Sequence, residues 1–257
     1  MAGFRYPAER NTHRTMSRYD RIGLNYSDLR RPDPRIAALI EGALGDCATV
    51  LNVGAGAGSY EPSAREVTAL EPSIEMIRQR LAPAAAVVQG RAEALPFGDR
   101  SFDASMAVLT VHHWFDQAKG LREIRRVTRG PVVILTYDPS FRGFWLADYI
   151  PQLVALDEAQ MPRIEDYARW LGPVTIAPVP IPHDCTDGFL SAYWRRPAAY
   201  LDARVRAAMS SFWAVGDVSK ALARLEADLE SGAWAERYSA LLALDSRDCG
   251  YRLVVTD

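Results

Sequence analysis

Thr49-Val50-Leu51-Asn52-Val53-Gly54-Ala55-Gly56-Ala57-Gly58-Ser59 decides how the chain is read. Strand-like apolar residues end abruptly in glycines at alternate positions, Gly54, Gly56 and Gly58. Glycine at such a turn lets the backbone bend tightly and lets another molecule approach with no Cβ in the way. A second apolar run, Val67 to Leu70, ends in Glu71. In a βαβ unit, two neighbouring parallel strands bring the glycine loop and this carboxylate to one crevice. Backbone N–H groups and a pair of carboxylate acceptors there suit a nucleoside with a ribose diol.

The spacing departs from the dinucleotide fingerprint, because Ser59 holds the place of its third glycine, and no Gly-Lys-Ser/Thr follows to make a phosphate loop. After a third strand, Ala86-Val87-Val88-Gln89, comes Gly90-Arg91-Ala92-Glu93-Ala94-Leu95-Pro96-Phe97, then Ser101-Phe102-Asp103. The glycine loop, Glu71 and this block resemble the ordered motifs of the class I S-adenosylmethionine-dependent methyltransferases, in particular their ubiquinone-biosynthesis branch. The resemblance runs from about Tyr19 to Asp138. It implies S-adenosyl-L-methionine as cofactor and an α/β, Rossmann-like, doubly wound fold. Its seven-stranded sheet would be mostly parallel, with an antiparallel last strand.

Residue by residue, the resemblance assigns Asn52, Gly54, Ala55, Gly56, Gly58, Glu71, Pro72, Met76, Arg91, Ala92, Val108 and His113 to the cofactor. Tyr26 joins them from an N-terminal segment that folds over the cofactor in the family, and Tyr19 is placed towards the acceptor. Two positions depart from the family pattern. Asn52 stands where an Asp is usual, and Arg91 where an Asp or Asn meets the adenine, which leaves the backbone N–H of Ala92 for that contact.

The organisation expected is an arm over residues 1–33, a cofactor-binding core over 34–182, a helical insertion over 183–249 and a final strand over 250–257. Asp33 reads as an N-cap with Pro34 behind it and Gly45 as the stop; Ile36, Leu39, Ile40 and Ala43 form the apolar face. Between Gly58 and Val67 there is room for a crossover helix of only about two turns, with Pro62 inside it. Ser73 caps the next helix, with Ile74, Ile77 and Leu81 inward; Asp116 caps another, whose Arg122, Arg125 and Arg126 face water. Strands one, three and five read as continuously apolar, as in a parallel sheet covered on both faces. Val174 to Ile181 reads as an edge strand, since Pro178 and Pro180 would break a central ladder.

Strand four runs from Ala104 to Leu109 into Thr110-Val111-His112-His113-Trp114. His113 and His112 stand where a general base would sit. Side chains alternate along a strand, so one of the two at most is expected to face the pocket. The insertion is rich in aromatic residues; Tyr193 and Trp194 are assigned to the acceptor as parts of a lid, and Tyr137, at the end of strand five, is assigned to the acceptor from the core. Such a lid would select an aromatic or largely apolar small molecule. Packing of these aromatics on the core is the alternative, and Arg195 and Arg196 read as a solvated pair.

Composition bounds the rest. The 257 residues carry a formal charge of −2 and 49% apolar residues, which argues for a full core and against nucleic acid as a partner. No apolar run reaches the ~18 residues of a membrane span. Three scattered cysteines suit a reducing, cytoplasmic setting, and the four histidines show no zinc spacing, so no metal is expected. A monomer or homodimer is expected. Two other readings remain open at this level: an S-adenosylmethionine-binding protein without catalysis, and a nicotinamide-dependent oxidoreductase.

Overall fold

A computed structural model describes residues 29–256. Tyr19 and Tyr26, with most of the expected arm, lie outside the described residues.

In chain order, α1 (Pro34–Leu44) precedes β1 (Thr49–Val53), β2 (Glu66–Glu71), α2 (Ile74–Arg78), β3 (Ala86–Gln89) and β4 (Ala104–Val108). Next come α3 (Gln117–Val127), β5 (Val132–Tyr137), α4 (Gln152–Gln160), α5 (Ile164–Leu171) and β6 (Val174–Pro182). The helices α6 (Ala203–Ala207), α7 (Ser210–Ala214), α8 (Ser219–Glu230), α9 (Ala233–Arg237) and α10 (Ser239–Leu242) lead to β7 (Ser246–Thr256). The sheet order is β3-β2-β1-β4-β5-β7-β6. Strands β1 to β5 pair in parallel, and β7 lies antiparallel between β5 and β6.

Alternation along each strand sorts the core into two layers. Val50, Met106, Val133 and Leu135 pack with Ile36, Ile40 and Leu44 of α1. Leu51, Val53, Ala107, Val132 and Ile134 pack on the other face with Leu121, Ile124 and Val127 of α3 and Tyr167 and Leu171 of α5. The caps read from the sequence hold. Asp33 accepts from the Arg35 amide at 3.0 Å, Ser73 from Met76 at 3.3 Å and Asp116 from Lys119 at 2.9 Å. Burial alone would raise the Asp33 carboxyl, but the Arg35 guanidinium and the Thr186 amide hold it down at about 2. Pro178 and Pro180 flank a register shift on β6, at the sheet edge where a missing N–H costs least.

Several expectations are corrected. No helix or strand crosses from β1 to β2: residues 54–65 form turns, since the connection is too short and Pro62 interrupts it. Instead, Glu61 and Arg80 form an ion pair with side chains only 7% and 5% exposed. Arg80 also donates to the Gly56 carbonyl at 3.1 Å, and Glu61 accepts from Asn52 at 3.2 Å and from the Ala85 amide at 2.9 Å. This pair ties the loop to the connection between α2 and β3. Leu39 is exposed, and Leu44 takes its place on the buried face of α1. Leu81 lies beyond the end of α2 and is exposed; Met76 is the residue this helix buries. β3 is the sheet edge and largely exposed. Arg125 is not a solvated charge: it clamps the Thr128 and Gly130 carbonyls and Thr256 at the end of β7.

The final strand begins at Ser246, earlier than the expected 250. The segment between β6 and β7 is clasped at its root, where Pro182 pairs with Ser246 and the His183 amide donates to the Asp245 carbonyl at 2.9 Å. β6 runs in the direction of β5, so the segment leaves the sheet at the carboxyl edge of the parallel strands. It arches over that edge as a roof.

Candidate active site

A cavity of about 460 Å³ opens at the carboxyl ends of β1, β2 and β4. Asn52, Gly54, Ala55, Gly56, Glu71, Pro72, Met76, Arg91, Ala92, Val108 and His113, all expected at the cofactor, line it together. Gly58 does not; it turns the chain at φ 98° beside Ala84 and Arg80.

The loop is built differently from the expectation that its amides are offered outward. Gly54 and Ala55 both donate to the Leu70 carbonyl, at 2.8 and 3.1 Å, and Gly58 donates to Ala55 at 3.0 Å. The Gly56 amide donates to Glu71 Oε2 at 2.9 Å, while Glu71 Oε1 accepts from Ser73 at 2.8 Å. Glu71 therefore secures the loop and the start of α2 while presenting a carboxylate, 5% exposed, to the cavity. A carboxylate has about four acceptor positions, which suits the two hydroxyls of a ribose. Gly54 is required twice over. Its φ is +70°, and a Cβ there would lie 2.1 Å from Thr110 Oγ1. Leu70, Met76, Ala92 and Val108 supply an apolar wall suited to a flat base. The residues present fit S-adenosylmethionine.

Further lining residues escaped the sequence reading. Tyr60, at φ +63°, buries its ring, and its hydroxyl donates to Asp187 at 2.9 Å and accepts from the Asp33 amide. Arg30 Nε donates to Asp187 at 2.6 Å, so the segment before α1, the glycine loop and the roof meet at one buried aspartate. These contacts span the length of the chain and leave no local sequence signal. Trp114 also lines the cavity.

A second, inner chamber of about 60 Å³ adjoins the first and shares Arg30, Leu109, His112 and His113 with it. Tyr137, Asp157, Met161, Phe189, Leu190, Met209 and Tyr251 complete most of its wall. Both histidines face the cavities, against the expectation of one. Residues 111–113 form a 3₁₀ turn, in which successive side chains are offset by about 120° rather than the alternation of a strand. Their ring centroids are 3.8 Å apart. Leu109, in the left-handed region at φ 51°, follows the end of β4 and turns the chain towards this 3₁₀ segment.

Tyr137 lines this chamber, its ring centroid 5.4 Å from that of Tyr251. Tyr193 and Trp194 do not reach the chamber. Trp194 is fully buried, and its Nε1 donates to the Ile181 and Pro182 carbonyls at 3.0 and 3.3 Å. Tyr193 packs against Tyr200 and under Arg196. The roof's aromatic wealth is mostly core packing around Trp145, whose ring meets Tyr149, Tyr200, Trp234 and Tyr238. Phe189, Leu190 and Met209 are the large apolar residues it turns to the chamber. Among the described residues, no group of acids, cysteines and histidines is arranged to hold a metal, and no helix is long and apolar enough to cross a membrane.

A doubly wound sheet with a glycine loop, an acidic residue ending β2 and a roofed crevice defines a nucleoside-cofactor-binding α/β protein. A family model described as a methyltransferase domain matches residues 51–134. A solved structure from Anabaena variabilis, assigned as a methyltransferase of an antibiotic biosynthesis pathway, is 34% identical to the chain. It covers 89% of this chain, 99% of its own is covered, and the TM-score is 0.82. The chain belongs to the class I S-adenosylmethionine-dependent methyltransferases. Among curated relatives, 2-methyl-6-phytyl-1,4-hydroquinone methyltransferase 1 of Oryza sativa is 28% identical over 47% of this chain and 38% of its own. The demethylmenaquinone methyltransferase of Renibacterium salmoninarum is 35% identical over 37% and 44%. The chain thus spans less than half the length of either.

Proposed function

We propose that the chain methylates a small, largely apolar acceptor that enters the inner chamber from the cofactor cavity. The observation that carries this reading is the shared wall: Arg30, Leu109, His112 and His113 border both spaces, so an occupant of each would meet there. The two curated relatives act, by name, on a 1,4-hydroquinone and on a demethylmenaquinone, which supports a ring-bearing acceptor.

Bound S-adenosylmethionine supplies an already activated, electrophilic methyl group. The protein's task is therefore placement, which supplies up to ~7–11 kcal/mol of a barrier. Glu71 and the apolar wall would hold the nucleoside end, and Asn52 and the glycine loop the opposite end. Phe189, Leu190, Met209 and Tyr251 would hold the acceptor and keep water from the reacting atoms. His112 and His113 stand at the junction, within reach of an acceptor proton.

Calorimetric titration with S-adenosylhomocysteine, followed by an acceptor screen read as S-adenosylhomocysteine formation by mass spectrometry, tests this. Micromolar binding with turnover of an apolar ring compound is expected. Binding without turnover of any acceptor would favour a non-catalytic S-adenosylmethionine-binding protein, and tighter binding of a nicotinamide dinucleotide would overturn the reading.

A further inference from the structure

The chamber contains one carboxyl that the reading above does not use. Asp157, on α4, is 8% exposed and lines the inner chamber beside Tyr137, Tyr251 and the two histidines. Among the described residues no donor is hydrogen-bonded to its carboxyl, although carboxyls this buried ordinarily have one. The groups that face it are few. Arg142, from the loop after β5, acts on it at a distance while bonding Glu158 and the Pro139 carbonyl. Tyr137 from β5 and Tyr251 from β7 feel its charge, and both hydroxyls are held protonated, first by burial. His112 and His113 face it from the 3₁₀ turn, and Arg30, paired with Asp187, from the segment before α1.

We propose that Asp157 accepts the hydroxyl proton of a hydroxylated aromatic acceptor, and that the chamber selects such rings for this reason. This rests on the methyl-transfer reading above. Three aromatic rings, of Tyr137, Phe189 and Tyr251, face a flat occupant; Leu109, Met161, Leu190 and Met209 add apolar wall, and the polar side is made by Asp157 with Arg30, the two histidines, Ser210 and Ser211. A ring with one hydroxyl would give Asp157 the donor that it lacks. Burial also raises the carboxyl to about 7, which suits a base working near neutral pH. In the step, the acceptor O–H bond breaks and its proton passes to a carboxylate oxygen of Asp157. The electron pair left on the acceptor oxygen forms the bond to the methyl carbon as the carbon–sulfur bond breaks, its pair remaining on sulfur. Asp157 then returns the proton to solvent.

The test uses the whole chain saturated with S-adenosylhomocysteine, with 1,4-dihydroxybenzene, 1,4-dimethoxybenzene and phenethylamine as probes. Wild type should bind the diol at least tenfold more tightly than its dimethyl ether, and the preference should fall as pH drops from 8 to 5. In Asp157→Leu the preference should vanish, with S-adenosylhomocysteine affinity unchanged. Equal binding of diol and ether by wild type, a preference retained in Asp157→Leu, or tighter binding of the amine would each overturn the proposal. With any phenol that is methylated, Asp157→Asn should lower kcat at least a hundredfold and abolish the rise of kcat/KM through about pH 7. Undiminished turnover in Asp157→Asn would remove the proton-accepting role. Failure of wild type to take up S-adenosylhomocysteine would instead refute the methyl-transfer reading.

Discussion

The guanidinium of Arg80 meets both carboxylate oxygens of Glu61, at 2.7 and 2.9 Å, where a crossover helix would otherwise brace the glycine loop. Breaking one side of a buried pair strands the other charge, at a cost of about 3–5 kcal/mol. Arg80→Met should therefore lower stability by several kcal/mol in urea unfolding and weaken S-adenosylhomocysteine binding, because the Gly56 carbonyl loses its donor. Glu61→Gln/Arg80→Met should recover part of the stability. A double variant no better than the single would mean that the two charges act independently.

Glu71 is expected to act on affinity and stability together. Its carboxylate would bind the ribose hydroxyls, and it also ties the Gly56 and Ser73 amides. Charge-assisted hydrogen bonds contribute roughly 1.5–3 kcal/mol each. Glu71→Ala should weaken S-adenosylhomocysteine binding more than tenfold and also lower the thermal midpoint by several degrees. An unchanged midpoint would show that the loop keeps its shape without the carboxylate.

A Cβ at position 54 has no room beside Thr110 and no favourable backbone conformation. Gly54→Ala should reduce S-adenosylhomocysteine affinity at least tenfold. Thr110→Ser should restore little of it, because the positive φ and the Oγ contact remain. Substantial recovery in Gly54→Ala/Thr110→Ser would place the conflict at the threonine methyl instead.

Trp194 is a stability residue here. Trp194→Phe removes the donor to the Ile181 and Pro182 carbonyls, and a buried acceptor left unpaired costs about 1–3 kcal/mol. Unfolding should register that loss while S-adenosylhomocysteine affinity holds. Met209→Ala, at the chamber, should do the reverse to acceptor KM. A Trp194→Phe protein of normal stability with raised acceptor KM would return this residue to the site.

Asp157 should leave a mark on stability as a function of pH. Its folded value, about 7, lies above the ordinary 3.8, so the folded chain takes up a proton between those limits. The stability associated with that proton is full below about pH 4 and is lost as pH rises through about 7, with roughly 4 kcal/mol as the upper bound. The thermal midpoint of wild type should fall relative to Asp157→Asn from pH 4 to 8. A difference constant over that range would show that the carboxyl titrates normally.

The cofactor half of the site was legible because its signals are local. Gly54, Gly56 and Glu71 end strands, and Asp33, Ser73 and Asp116 sit at caps, where neighbouring residues dictate conformation. The acceptor half depends on partners far apart in the chain. Asp157 reads as an ordinary helix residue until Tyr137 and Tyr251 are seen to enclose it. Trp194 looked like lid material because composition does not reveal which side of a short turn faces inward. The paired histidines were misjudged because strand four was carried one residue too far, to Leu109, and the residues after it were read as a strand end rather than a 3₁₀ turn.

The clasp at the root of the roof has a practical meaning. The amide and the ring Nδ1 of His183 both meet the Asp245 carbonyl, at 2.9 and 3.1 Å, so the segment between them leaves and rejoins the sheet at a single point. Such a segment resembles an exchangeable cassette. Its length and lining can change while β6 and β7 keep their register, and acceptor preference could be transplanted between homologous chains by cutting at those two residues.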